Sequence, residues 1–210
     1  MTKIIILPFL CLFASLSAAP TREAFALEER PITGVPTDAF ELSDSNLTIE
    51  LWARSPMIYS PVAMDFDAQG RLWTTEGIDY QRGRRIAEGR SIIVLEDKDW
   101  DGKADTSTIF VTEKEIRHAA LGIAVFDNQI VLSSTPSIIV YTDVNRNAVF
   151  DEGVDKREVF LAGFRDASHD HTLHAVVGAP SGQWHFSYGN RGADITTKDG
   201  RNHISGCYYG

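Results

Sequence analysis

Cysteine is almost missing from this 210-residue chain. There are two, Cys11 near the start and Cys207 near the end. Cys11 lies inside an apolar leader, so the remaining chain has one thiol and no internal disulfide to brace it. There is no Cys-x-x-Cys-His, so no haem is attached covalently within these residues. A run of Lys and Arg long enough to offset the formal charge of −9 is also missing, which argues against nucleic acid as a partner. No stretch reaches the roughly 20 apolar residues that a membrane-spanning helix needs. Sustained 3.6-residue periodicity is lacking too, apart from Val111–Ala120, which has room for one short helical turn.

What is present begins with Met1-Thr2-Lys3, the apolar run Ile4–Leu16 and the small residues Ser17-Ala18-Ala19. That order of positive start, hydrophobic stretch and small cleavage residues predicts a secretory signal over 1–19. Loss of Lys3 then moves the charge from −9 to −10, and the expected location is the periplasm, cell envelope or extracellular space. Residues 20–46, with Pro31, Gly34 and Pro36, predict an extended arm. From 47 to 210 the texture is short runs of Val, Ile, Leu, Trp and Phe between Gly, Asp, Asn and Pro. Val62–Phe66, Arg71–Thr75, Ser91–Leu95, Ile123–Phe126, Ile130–Ser133 and Ile138–Tyr141 read as strands.

These strands repeat. Ser91-Ile92-Ile93-Val94-Leu95 with Asp97 returns 46 residues later as Ser137-Ile138-Ile139-Val140-Tyr141 with Asp143. A looser third echo is Ala175-Val176-Val177 followed by Trp184-His185-Phe186. Four short strands at a period in the 40s describe a β-propeller blade, which cannot bury both faces alone. The expected fold is therefore all-β, an incomplete propeller of about three to four blades built from short four-stranded antiparallel sheets, because closed propellers need about four to eight. A β-sandwich is the alternative, and a fragment of a larger protein is expected. Trp52, Trp73 and Trp184 fall on these strands and are assigned to the core.

The most specific local pattern is Asp97-Lys98-Asp99-Trp100-Asp101-Gly102-Lys103-Ala104-Asp105. It sets carboxylates at positions 1, 3, 5 and 9 of a tight loop, the Lys103 carbonyl at 7 and glycine at 6. Calcium takes about six to eight oxygens, which this spacing can converge from one segment. Position 12 is Thr108 rather than the bidentate Glu of an EF-hand, and Ser107–Val111 reads as a strand, so the loop is expected without EF-hand helices. The competing reading is an acidic, solvated hairpin turn. The second copy, Asp143, Asn145, Asn147 and Asp151, trades two carboxylates for amides and the glycine for Ala148, so it is a weaker calcium site or a plain Asx-rich turn.

Taken in order, Leu47–Ala53, Ser60–Trp73, Ile93–Asp97 with its acidic loop, and Lys156–Phe164 resemble one family. They are similar to the N-terminal propeller of the membrane-bound dehydrogenases abundant in planctomycete-like bacteria, relatives of the quinoprotein glucose and sorbosone dehydrogenases. The resemblance covers about 47–192. It implies pyrroloquinoline quinone over a central channel, a sugar or alcohol substrate and a His that removes the hydroxyl proton, with cationic side chains at the quinone oxygens. An external cytochrome or quinone would accept the electrons, and further blades or another envelope protein would complete the assembly.

The His candidates for that base are His171 and His174, in His169-Asp170-His171-Thr172-Leu173-His174, and then His118. The His cluster reads equally as a transition-metal site or a polar loop, and His118 as a hydrogen-bonded loop residue. Arg82 and Arg84, in the run Tyr80–Arg85, and Arg191, in Asn190-Arg191-Gly192, are the candidate cofactor contacts. Each has a solvated loop as its simpler reading. A calcium-stabilised domain that binds carbohydrate or protein without redox chemistry is the rival function.

Overall fold

A computed structural model of the chain describes residues 39–54, 56–77, 90–113, 120–165, 173–189, 192–197 and 199–205. The expected signal over 1–19 and most of the arm lie outside that set. The chain divides into two compact units, Met1–Leu47 and Thr48–Gly210. In the first, the described residues are exposed and turn at Asp44, whose carboxylate accepts both the backbone and side-chain N–H of Asn46 at 2.9 Å.

The second unit is all-β among its described residues. Strands β1 (Pro61–Phe66), β2 (Leu72–Glu76), β3 (Arg90–Glu96) and β4 (Thr106–Glu113) form one antiparallel sheet in sequence order. Strands β5 (Gly122–Phe126), β6 (Gln129–Ser134), β7 (Ser137–Thr142) and β8 (Lys156–Ala162) form a second with the same order. Two hairpins follow, β9 (Leu173–Gly178) with β10 (Trp184–Tyr188), and β11 (Ala193–Thr196) with β12 (Asn202–Ser205). The expected third unit is thus two separate hairpins, and β11 and β12 were not legible as strands. Val111–Glu113 belongs to β4, so the first part of the possible helical turn is extended chain.

The repeat seen in sequence is a repeat of geometry. β3 and β7 are apolar at almost every position because each strand buries both faces. Ile92 and Val94 enter one cluster with Trp73, Phe110, Ile123, Ile139 and Tyr141 between the two sheets. Ile93 and Leu95 point the other way, against Trp52, Met57 and Ile58. In the second sheet Ile138 and Val140 face Leu173, Val176, Ala193 and Ile195 of the hairpins. The pairing of β3 with β4 slips between Ile92 and Ile93, and that of β7 with β8 slips between Ile138 and Ile139. Both sheets therefore carry their bulge at the same point of the 46-residue repeat. Trp73 is 2% exposed and belongs to the core, whereas Trp184, stacked on Phe126 with centroids 5.8 Å apart, and Trp52, which lies outside any strand, are half-buried against its margins.

Neighbouring sheets meet through their first strands, β1 on β5 and β5 on β9. The Asp65 carboxylate accepts the Val125 N–H at 2.8 Å near the final ends of β1 and β5. At the other ends, the Thr75 hydroxyl donates to the Ala120 carbonyl at 2.8 Å and the Thr135 hydroxyl accepts the Leu173 N–H at 3.0 Å. The first strands therefore run parallel and in step. Their approach is close: a Cβ on Gly122 would sit 2.8 Å from the Ala175 Cα and the His174 carbonyl.

Between the sheets a polar group is sealed into the core. The Tyr141 hydroxyl and Arg157 Nε both donate to the Glu113 carboxylate, the latter at 2.7 Å. Burial, followed by the hydrogen bond and charge of Glu113, pushes the Tyr141 hydroxyl well above its ordinary pKa. The tyrosine stays neutral and the glutamate keeps its cationic partner, so neither is stranded away from water.

Candidate metal centre

The β3–β4 turn is closed at its neck by the Asp105 N–H, which donates to the Glu96 carbonyl at 2.8 Å. Within the loop each acidic side chain binds backbone. Asp97 Oδ2 accepts the Gly102 N–H at 2.9 Å, Asp99 Oδ1 accepts Asp101 N–H at 3.2 Å, Asp101 Oδ1 accepts Lys103 N–H at 2.9 Å, and Asp105 Oδ2 accepts Lys98 N–H at 2.7 Å. Trp100 and Gly102 both sit at positive φ, 61° and 88°, which bends the backbone tightly enough to turn the carboxylates inward.

Three of the four predicted carboxylates converge. Oxygens of Asp97, Asp99 and Asp105 lie within 4.8 Å of one another. Asp101 stands outside that group, its carboxylate capping the Lys103 N–H instead. One oxygen of the trio is singular: Asp97 Oδ1 is shut off from solvent and has no hydrogen-bond partner. A carboxylate oxygen in that state is costly, because lost hydration is not replaced and two like charges stand nearby. A hard divalent cation answers both problems, so the donor set fits calcium on chemistry as well as on spacing.

The second turn, between β7 and β8, is built differently. Asp143 is 3% exposed and holds two backbone groups, Asn147 N–H at 3.2 Å and Ala148 N–H at 2.9 Å. The amide groups of Asn145 and Asn147 both donate to Asp151 Oδ2, at 2.7 and 2.8 Å. Those bonds hold the Asp151 carboxyl below its usual range. Val144 N–H, at the position equivalent to Lys98, donates to Asp155 Oδ1 at 2.8 Å, and Asp151 N–H donates to the other oxygen at 2.7 Å. Asp155, not Asp151, is thus the counterpart of Asp105. Counting from the loop start missed it. Counting back from the outer strand finds it, since Asp105-Thr106 and Asp155-Lys156 each put an aspartate directly before that strand.

The fourth loop position was also missed. Trp100 and Arg146 share φ near 60° and each reaches back over the inner hairpin of its own sheet. Trp100 lies against Gly70, where an added Cβ would meet its ring at 3.0 Å. Arg146 clamps Asp127 with two bonds of 2.7 and 2.6 Å. Beside them, Asp67 joins Arg71 Nε at 2.7 Å and the Trp73 indole N–H at 2.8 Å. Burial raises the Asp67 carboxyl, but the bonds from Trp73 and from the side chain and backbone of Arg71, with the Arg71 charge, outweigh it and hold the pKa low.

Of the remaining candidates, His174 is half-buried near the start of β9. His118, His171, Arg82, Arg84 and Arg191 lie outside the described residues.

The family described as a domain of unknown function, DUF7133, matches residues 37–209. No curated protein matches the chain. Among solved structures, a similar one is the iodide structure of Trichoderma reesei Carbohydrate-Active Enzymes Family AA12, at 14% identity and a TM-score of 0.41. That match covers 63% of this chain and 29% of the other, so the chain spans less than a third of the structure it resembles.

Proposed function

The chain belongs to the DUF7133 family, and we propose that it is an exported calcium-binding domain whose successive sheets are blades of a β-propeller. The observation that carries the calcium reading is Asp97 Oδ1, buried without a partner beside the carboxylates of Asp99 and Asp105. The ion would neutralise the three and hold the β3–β4 turn rigid; Asp143, Asn145, Asn147, Asp151 and Asp155 form a weaker second position. The propeller reading is supported by sheets of identical strand order that meet through parallel first strands. Calorimetric calcium titration tests the ion. Wild type should give a saturable heat that Asp97→Ala loses, and equal heats from both would mean the loop is only an acidic turn.

A quinone-dependent sugar or alcohol dehydrogenase is the second reading, and one observation of topology favours it. Strand pairs β2/β3, β4/β5, β8/β9 and β10/β11 are joined at one end of the sheets, and the two acidic turns sit at the other. Arg82 and Arg84, His118, His171 and Arg191 belong in sequence to those four connections. His174, at the start of β9, stands at the same end. A quinone bound there would accept hydride from an alcohol carbon, with a histidine taking the hydroxyl proton. The test is reconstitution with calcium and pyrroloquinoline quinone, followed by sugar-dependent dye reduction. No quinone binding and no dye reduction would remove this reading for the chain while leaving the calcium reading untouched.

A further inference from the structure

At the acidic-turn end, the inner hairpins of the two sheets leave a polar cleft of about 190 Å³. Its walls include Gln69 and Arg71 from the first sheet, Glu96 at the neck of the first loop, and Asp127, Asn128 and Arg146 from the second sheet. Gly70, between two of the wall residues, is overlain by the Trp100 ring. Trp100 is 76% exposed, although a large aromatic side chain is normally buried. The ring is not part of the cleft lining, but its contact with Gly70, whose chain neighbours Gln69 and Arg71 are wall residues, sets it beside the cleft with most of its surface facing water.

The charges in the walls say what kind of ligand fits. Both guanidinium groups are already neutralised, Arg71 by Asp67 at 2.7 Å and Arg146 by Asp127 at 2.6 Å. Glu96 and Asp143 then leave an acidic excess that repels phosphate and carboxylate ligands. Among the described residues, nothing hydrogen-bonds to the Gln69 side-chain amide or to the Glu96 carboxylate. Planar amide, carboxylate and guanidinium groups around a cleft supply paired donors and acceptors at the spacing of vicinal hydroxyls. An exposed indole supplies a flat apolar surface for C–H groups.

We propose that this cleft binds a neutral pyranose, one ring of a glycan, with Trp100 as the stacking platform and Gln69 and Glu96 as hydroxyl partners. The site lies at the opposite end of the sheets from His174, and it makes the acidic-turn end a recognition surface.

The test is a saturation-transfer NMR and calorimetric titration of the full chain, in excess calcium, with methyl β-D-glucopyranoside, methyl α-D-mannopyranoside and D-glucuronate. The expected result is saturable binding of at least one neutral glycoside, weakened about tenfold or more by Trp100→Ala and by Gln69→Ala, with Trp100→Phe retaining part of it. Both altered side chains are exposed, and unchanged circular dichroism and calcium heats in the variants would separate loss of the sugar site from loss of the ion or the fold. Absence of saturable binding by either glycoside, binding that survives both alanine substitutions, or tighter binding of glucuronate would each overturn the proposal.

Discussion

The turns after β3 and β7 occupy the same place in two copies of one sheet, yet they solve the same electrostatic problem in opposite ways. The first packs carboxylates together and leaves Asp97 Oδ1 buried and unpartnered. The second replaces two carboxylates by Asn145 and Asn147, whose amide hydrogens turn onto Asp151 and do what a cation would otherwise do. The lesson is that a turn of this shape needs a cation less where neutral donors take up part of the charge. On the calcium reading proposed above, the first turn is the one whose rigidity would lean more on a cation.

The largest effect should come from the orphan oxygen. Asp97→Ala should weaken terbium or calcium binding by more than roughly a hundredfold, read by luminescence sensitised through the adjacent Trp100. The matching change at Asp143 should leave that signal near wild type. Equal losses at the two positions would erase the contrast between the turns. Next in size is a conversion: Asn145→Asp with Asn147→Asp should remove the amide donors, lower the melting temperature in chelator and restore it in calcium, with a second equivalent of ion bound. A double variant as stable in chelator as wild type would show that the amides carry no such role.

Backbone shape gives a smaller effect. Ala148 stands at φ 61° where the first turn has Gly102 at 88°, so Ala148→Gly should stabilise by about 1 kcal/mol, measured by urea unfolding. Gly102→Ala should act in the reverse direction. Acid sharpens the comparison further. The Asp67 carboxyl is held low by Trp73 and Arg71, so its contribution is full above the ordinary aspartate range and disappears only as pH falls through the lowered value. Asp67→Asn should flatten that acid limb of the melting profile and leave the neutral region parallel to it. The smallest change is expected from Arg146→Ala: both partners of that pair are exposed, so melting should hardly move.

Much of the scaffold was legible before any coordinates. Six of the expected strands are present within a residue or two of their limits, because apolar runs cut by Gly, Asp and Asn report strands buried on both faces. β8 was harder to place: Lys156, Arg157 and Glu158 mark an edge strand exposed along most of its length, and edge strands carry charge rather than periodic apolar residues. β11 and β12 are four residues each, too short for a period to register. In the acidic loop the spacing pointed to Asp97, Asp99 and Asp105, but it also included Asp101, whose carboxylate goes to the Lys103 N–H.

By itself the sequence determined the all-β class, the 46-residue repeat and the place of the acidic turns, because alternation, turn residues and ligand spacing are properties of neighbouring positions. The tertiary structure decided which oxygen lacks a partner, that Asp155 stands where Asp105 does, that Trp100 faces water, and that the two inner hairpins enclose a cleft. Each of those turns on burial or a competing hydrogen bond rather than on residue type, and the cleft joins groups far apart in the chain.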